Sequence, residues 1–216
     1  LSSAGAVSST LSLGEGDRCL NVMPLFHIHG IVGVLLSSVV SGSSVECTDG
    51  FDAFSFRRRL VAPGITWCSA VPTMFQAMLL RDAESVVMST SSLRVLRTSS
   101  APLPVSVWRR LEDQFECPVL EAYGMTEAAH QMASNPLPPS ERRPGTVGTA
   151  AGADLALLVD GQVSVSTSME GEVVVRGGGV MPGYLAPLGA NETAWIDGWF
   201  RTGDVGRIDP DGYLTL

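Results

Sequence analysis

Glu121-Ala122-Tyr123-Gly124-Met125-Thr126-Glu127 sets an aromatic ring, a glycine, a hydroxyl and a carboxylate at the end of an apolar run, Val119–Ala122, that reads as a buried strand. The ring can stack on a flat base, and the glycine lets bare backbone approach a phosphate. The hydroxyl can bond phosphate oxygens, and the carboxylate can hold a divalent cation shared with them. Downstream, Thr202-Gly203-Asp204 puts a second carboxylate beside a glycine turn, suited to gripping two neighbouring hydroxyls such as those of a ribose. Taken alone, the first stretch also reads as a helix N-terminus, with Thr126 capping and Glu127 favouring the dipole.

Working outward, Cys19–Met23, Ser44–Cys47, Ile65–Ser69 and Leu93–Thr98 look like further buried strands. Between them, Pro72–Arg81 predicts a helix: Pro72 suits the first helical position, and Phe75, Met78 and Leu79 share one face. Pro104–Phe115 predicts another, with Val107, Leu111 and Phe115 on one side, and a long apolar helix should follow His29. Strand–helix alternation argues for an α/β fold with a mostly parallel sheet flanked by helices. Pro136–Pro144 breaks the rhythm and reads as a boundary. Beyond it the period drops to two, and Leu155–Val159 and Val163–Val165 flank Asp160-Gly161, a hairpin dipeptide. The expected organisation is residues 1–143 as an α/β subdomain and 144–216 as a small antiparallel β subdomain or distorted barrel.

At 216 residues, with 45% hydrophobic and 17% charged, the chain can bury a real core and is not disordered. A net charge of −8 opposes nucleic-acid binding. The basic run Arg57-Arg58-Arg59 reads as a solvated helix face. Cys19, Cys47, Cys68 and Cys117 form no C-x-x-C pair and read as buried free thiols in a reducing cytoplasm. The longest apolar segment, Ile31–Val40, is shorter than the ~20 residues a bilayer span needs, and no leader pattern opens the chain. His27 and His29 stand two apart, but the only other histidine is His130, so metal binding by imidazoles is not favoured.

The two opening motifs together resemble the signatures of the adenylate-forming superfamily: acyl-CoA synthetases, firefly-type luciferases and the adenylation domains of peptide synthetases. The resemblance runs from about Cys19 to the end of the chain. It implies that Tyr123 packs on adenine with Glu121, Ala122 and Gly124 beside it, and that Thr126 binds the α-phosphate. It further implies that Glu127 ligates Mg²⁺ and that Asp204 holds the ribose. Thr126 and Glu127 are then the catalytic candidates. Ser100-Ala101-Pro102 matches one wall of the adenine slot, although the family usually has glycine where Ser99 or Ser100 stands. Pro24-Leu25-Phe26-His27-Ile28-His29-Gly30 matches the acid-pocket segment of acyl-CoA synthetases. Phe26, His27, Val71, Met125 and His130 are thereby implied on the acid side. The continuation past Glu127 looks like the branch containing oxalate–CoA ligases, and Gly171–Gly177 and Met181–Leu185 match scaffold.

The chain has no lysine; all 14 basic residues are arginine. The family's lysine-bearing phosphate loop is expected before Leu1, and the small domain with the adenylation lysine after Leu216, so both ends look cut. The expectation is a fragment of the large N-terminal domain of an ATP-dependent carboxylic acid–CoA ligase, inactive as it stands. Its small molecules would be a carboxylic acid, ATP/AMP, Mg²⁺ and CoA. The competing readings are a non-catalytic nucleotide-binding or interaction protein of the same fold, and an adenylation domain that loads a carrier protein. The acid and the oligomeric state are left open.

Overall fold

The computed structural model describes residues 1–81, 92–165, 169–187 and 189–216. Seven strands form the first sheet: β1 (Arg18–Asn21), β2 (Ser44–Cys47), β3 (Trp67–Ala70), β4 (Val95–Thr98), β5 (Val119–Met125), β6 (His130–Ser134) and β7 (Thr149–Ala150). Their order is β2-β1-β3-β4-β5-β6-β7. The first five pair in parallel, and β6 and β7 add antiparallel. β3 and β4 are buried at every position, which is why they read as continuous runs with no alternation.

Helices cover both faces. On one, α4 (Phe56–Leu60), α5 (Pro72–Arg81) and α6 (Val105–Phe115) pack Phe56, Phe75, Met78 and Trp108 against Leu20, Cys68 and Leu96. On the other, α1 (Ser2–Thr10) and a helical stretch over Ile28–Val40 enclose Val7, Val34, Trp67 and Leu120. That stretch is not a uniform α-helix. It is α2 (Ile28–Gly30), a π-helical segment Ile31–Leu36, then α3 (Ser37–Val40).

The second sheet is antiparallel, in order β11-β12-β10-β8-β9 with β13 on β12. Its strands are β8 (Asp154–Val159), β9 (Gln162–Ser164), β10 (Glu170–Arg176), β11 (Trp195–Ile196), β12 (Trp199–Ile208) and β13 (Leu214–Thr215), with the short α7 (Ala190–Ala194) before β11. The expected hairpin is present: Asp160 and Gly161 both take positive φ, 49° and 77°, as a two-residue turn of matching twist requires. Tyr123 and Met132 pack with Leu157, Val173 and Phe200, so one apolar cluster joins the two sheets.

Several expectations change. β5 does not stop at Ala122; antiparallel pairing with β6 supplies partners out to Met125, so the strand carries the Tyr-Gly-Met of the motif. β2 lies at the sheet edge and is not buried, which leaves Cys47 exposed while Cys19, Cys68 and Cys117 are buried. Arg58 and Arg59 are exposed as expected, but Arg57 turns inward, bonding Gln114 at 2.8 Å with its guanidinium 4.9 Å from the Phe115 ring. In α6 the buried stripe is Trp108, Leu111 and Phe115, with Val107 only partly covered. Among the described residues, no helix is long and apolar enough to cross a membrane.

Candidate functional site

A cavity of about 350 Å³ opens at the carboxyl ends of β4 and β5, where ligands of parallel α/β sheets bind. Ser100, Ala101, Pro102, Glu121, Ala122, Tyr123 and Gly124 line it with Gly145, Val147, Asp204 and Leu216. All the residues assigned to the base and ribose are therefore gathered in one place. Thr126 and Glu127 lie one turn beyond, in the 3-10 helix Thr126–Ala128 that follows β5.

Each wall has a local cause. Thr98 pairs with Glu121 across β4 and β5, which sets the two strand ends level. β4 then breaks at Ser100, whose φ of 76° is a left-handed conformation more natural for glycine. The chain that turns there leads into α6, and Glu121 Oε1 accepts the Leu103 amide at 2.8 Å, tying turn to strand. Glu121 Oε2 is buried with no partner among the described residues. Burial pushes this carboxyl up to about 7, against the opposing pull of the Leu103 N–H.

Asp204 reaches the cavity from the other sheet. Between Glu172 and Val174 the β10–β12 register shifts: Val174 faces Arg201 while Glu172 faces Val205. Thr202, Gly203 and Asp204 thus stand opposite Val173 alone, a bulge of two extra residues that redirects the strand. Gly203 supplies the positive φ of 79°. Thr202 Oγ1 donates to the Val173 carbonyl at 2.7 Å, and Glu172 Oε1 accepts the Gly203 amide at 3.0 Å. Glu172 lies in the Gly171–Gly177 stretch expected as scaffold, yet it fixes this turn. The Tyr123 hydroxyl donates to Asp204 Oδ2. Burial, and then the Asp204 carboxylate, push the phenol up, so Tyr123 stays the donor.

At the open end Thr126 is exposed and Glu127 half-buried. Glu127 Oε1 accepts from the Tyr184 hydroxyl at 3.1 Å, and its carbonyl accepts the Met181 amide at 2.7 Å. The Met181–Leu185 segment therefore does more than scaffold. Among the described residues no cluster of three or more His, Cys, Asp or Glu could hold a metal by itself. A single half-exposed carboxylate suits an ion that takes its remaining ligands from phosphate and water.

The residues assigned to the acid separate into an outer and an inner group. Phe26 and His27 are exposed; His27 caps the following helix, its Nδ1 accepting the His29 amide at 3.2 Å. Val71 and Met125 are half-buried. His130 is buried, stacked on His29 at 5.1 Å between ring centroids. His29 Nε2 lies 2.7 Å from Ser69 Oγ, and its Nδ1 lies 3.2 Å from Ser100 Oγ on the cavity wall. Arg97 donates to Ser69 at 3.0 Å and Gln131 at 3.0 Å, and lies 3.1 Å from His130 Nε2. Burial, with Arg97 next, holds both imidazoles well below their usual range, hence neutral, and burial brings Arg97 down to about 10. Room for His130 comes from the π-helical segment, where a Cβ on Gly33 would stand 2.5 Å from Nε2. Reading the sequence missed Arg97, Ser69 and Gln131; an arginine between Leu96 and Thr98 in a run read as a buried strand was the available signal.

Comparison with known proteins now settles the family. The AMP-binding enzyme family matches residues 1–185. The chain belongs to it. The "Probable CoA ligase CCL9" of Humulus lupulus is 43% identical over all of this chain, which corresponds to 42% of that protein. The oxalate–CoA ligase of Arabidopsis thaliana is 40% identical, again over the whole chain and 42% of the relative. The O-succinylbenzoate CoA synthetase of Bacillus subtilis, solved with ATP and magnesium ion, superposes with a TM-score of 0.85 at 30% identity, covering 99% of this chain and 44% of that one. The chain thus spans under half the length of each of these three relatives.

Proposed function

We propose that the chain is the nucleotide-binding core of an AMP-forming carboxylic acid–CoA ligase. The observation that carries this reading is the meeting of Tyr123 from the parallel sheet with Asp204 from the antiparallel one, at a cavity within the range of small-molecule sites. In this reading adenine lies between Tyr123 and Ser100-Ala101-Pro102, and the ribose hydroxyls take over Asp204. Thr126 donates to the α-phosphate. Glu127 would hold Mg²⁺, which when bound offsets negative charge on the phosphate oxygens.

The substrate carboxylate attacks the α-phosphorus, the α–β anhydride bond breaks and pyrophosphate leaves. The CoA sulfur then displaces AMP from the acyl carbon. This segment's part is positioning: base and ribose are held so that the α-phosphate meets the carboxylate in line. The chain contains no lysine, and Arg97 does not line the cavity. The cation opposite the developing charge belongs to the rest of the enzyme, so the segment alone should not form acyl-AMP. The name of the oxalate–CoA ligase relative makes oxalate one acid to test.

The test is pyrophosphate release by the full-length protein with ATP, Mg²⁺ and a panel of acids including oxalate, followed by thioester formation with CoA. Acid-dependent release and a CoA thioester are expected. Nucleotide binding without release would instead support a non-catalytic protein, and acyl-AMP without transfer to CoA a carrier-loading domain.

A further inference from the structure

Among the described residues Glu121 is the one acidic side chain of the cavity wall with a buried, unpartnered oxygen. The residue is 3% exposed and lines the cavity; Oε1 is committed to the Leu103 amide, and Oε2 has no partner among the described residues. With an amide already on Oε1, Oε2 is the carboxyl's one unengaged oxygen among the described residues. Ionised, it accepts only; protonated, it can donate. Leaving such an atom unpaired in a closed site carries a penalty that a complementary ligand group removes.

Resting on the reading of this cavity as a purine slot, we propose that Glu121 selects the purine by its protonation state: the ionised carboxylate takes 6-amino purines, and the protonated acid takes 6-oxo purines. An exocyclic amine donates and so matches O⁻, whereas a 6-oxo group accepts and so needs O–H. The charged and titratable groups nearby are few. Tyr123, on the same strand, is bonded to Asp204 from β12, and these two share the cavity wall. On the neighbouring strand Thr98 is uncharged, and Arg97 is engaged with Ser69, His130 and Gln131. The turn Ser100-Ala101-Pro102 and, from the loop before β7, Gly145 and Val147 bring no charge. The carboxyl is thus governed by burial and the Leu103 amide, which places its titration at about 7.

The experiment measures AMP and IMP binding to the full-length protein by calorimetry at about pH 6 and about pH 8. The two probes carry the same phosphate, so its own ionisation cancels in their affinity ratio. One site titrating midway changes its ionised fraction about tenfold over this range, so the AMP-to-IMP ratio should rise at least about tenfold with pH. In Glu121→Gln, whose amide both donates and accepts, the ratio should be flat. A flat ratio in the unmutated protein, with AMP still bound, overturns the role of Glu121 while leaving the nucleotide slot intact. If neither nucleotide binds at either pH, this inference falls together with the proposed function.

Discussion

Asp204 is the residue on which the two sheets converge, and its removal gives a sharp test of the slot. It is exposed and sits on a bulge, so Asp204→Ala should leave the fold intact at a cost of about 1 kcal/mol for the lost Tyr123 bond. In binding, the loss is larger. A hydrogen bond to a charged group is worth about 1.5–3 kcal/mol, so AMP affinity should fall about 10- to 100-fold. The structure adds a control. The Tyr123 hydroxyl occupies Asp204 Oδ2, a bond the ribose must share or displace. Tyr123→Phe keeps the ring for stacking and removes that competitor, which is worth about 1 kcal/mol, so affinity should hold or rise by up to about fivefold. Titration calorimetry with AMP on the full-length protein and both variants separates the cases. If Asp204→Ala binds within about twofold of the parent, or if Tyr123→Phe loses as much as Asp204→Ala, the assignment of Asp204 to the ribose is wrong.

Three further outcomes follow from the same geometry. The Glu121 carboxyl is raised from 4.5 to about 7 in the folded state, so the fold holds its proton where the unfolded chain has lost it. Stability should therefore decline as pH rises from about 4.5 through about 7, by up to about 3 kcal/mol, and Glu121→Gln should abolish the decline in urea titrations; equal slopes in both proteins would refute it. Glu172→Ala removes the acceptor that holds the Gly203 amide and the partner of Arg201, so AMP should bind several-fold more weakly although Asp204 is untouched, with only about 1 kcal/mol lost from stability. A thiol reagent should label Cys47 first in the native protein, because Cys19, Cys68 and Cys117 are buried and burial pushes the Cys117 thiol up to about 12; a mapped adduct at Cys68 before Cys47 would contradict the edge position of β2.

The α/β class, the helices at Pro72–Arg81 and before Phe115, and the Asp160-Gly161 hairpin were legible because each rests on local physics: side-chain period, a proline at the first helical position, a dipeptide that tolerates positive φ. The Tyr123–Glu127 and Thr202–Asp204 motifs stood out as candidates for the same reason, since their residue types suggest a chemistry without reference to partners. Three-dimensional pairing decided the rest. β5 extends through Met125 only because β6 folds back on it, and β2 is exposed because it is the edge strand of the sheet among the described residues. Arg97 joins His29 and His130 across three strands and a π-helical turn; no spacing in the chain encodes a contact between residues so far apart. Sequence fixes which groups a strand or turn can present. Burial, and hence whether Glu121 is charged or whether an imidazole is neutral, depends on what the folded chain packs around each group, because desolvation is set by every neighbour at once.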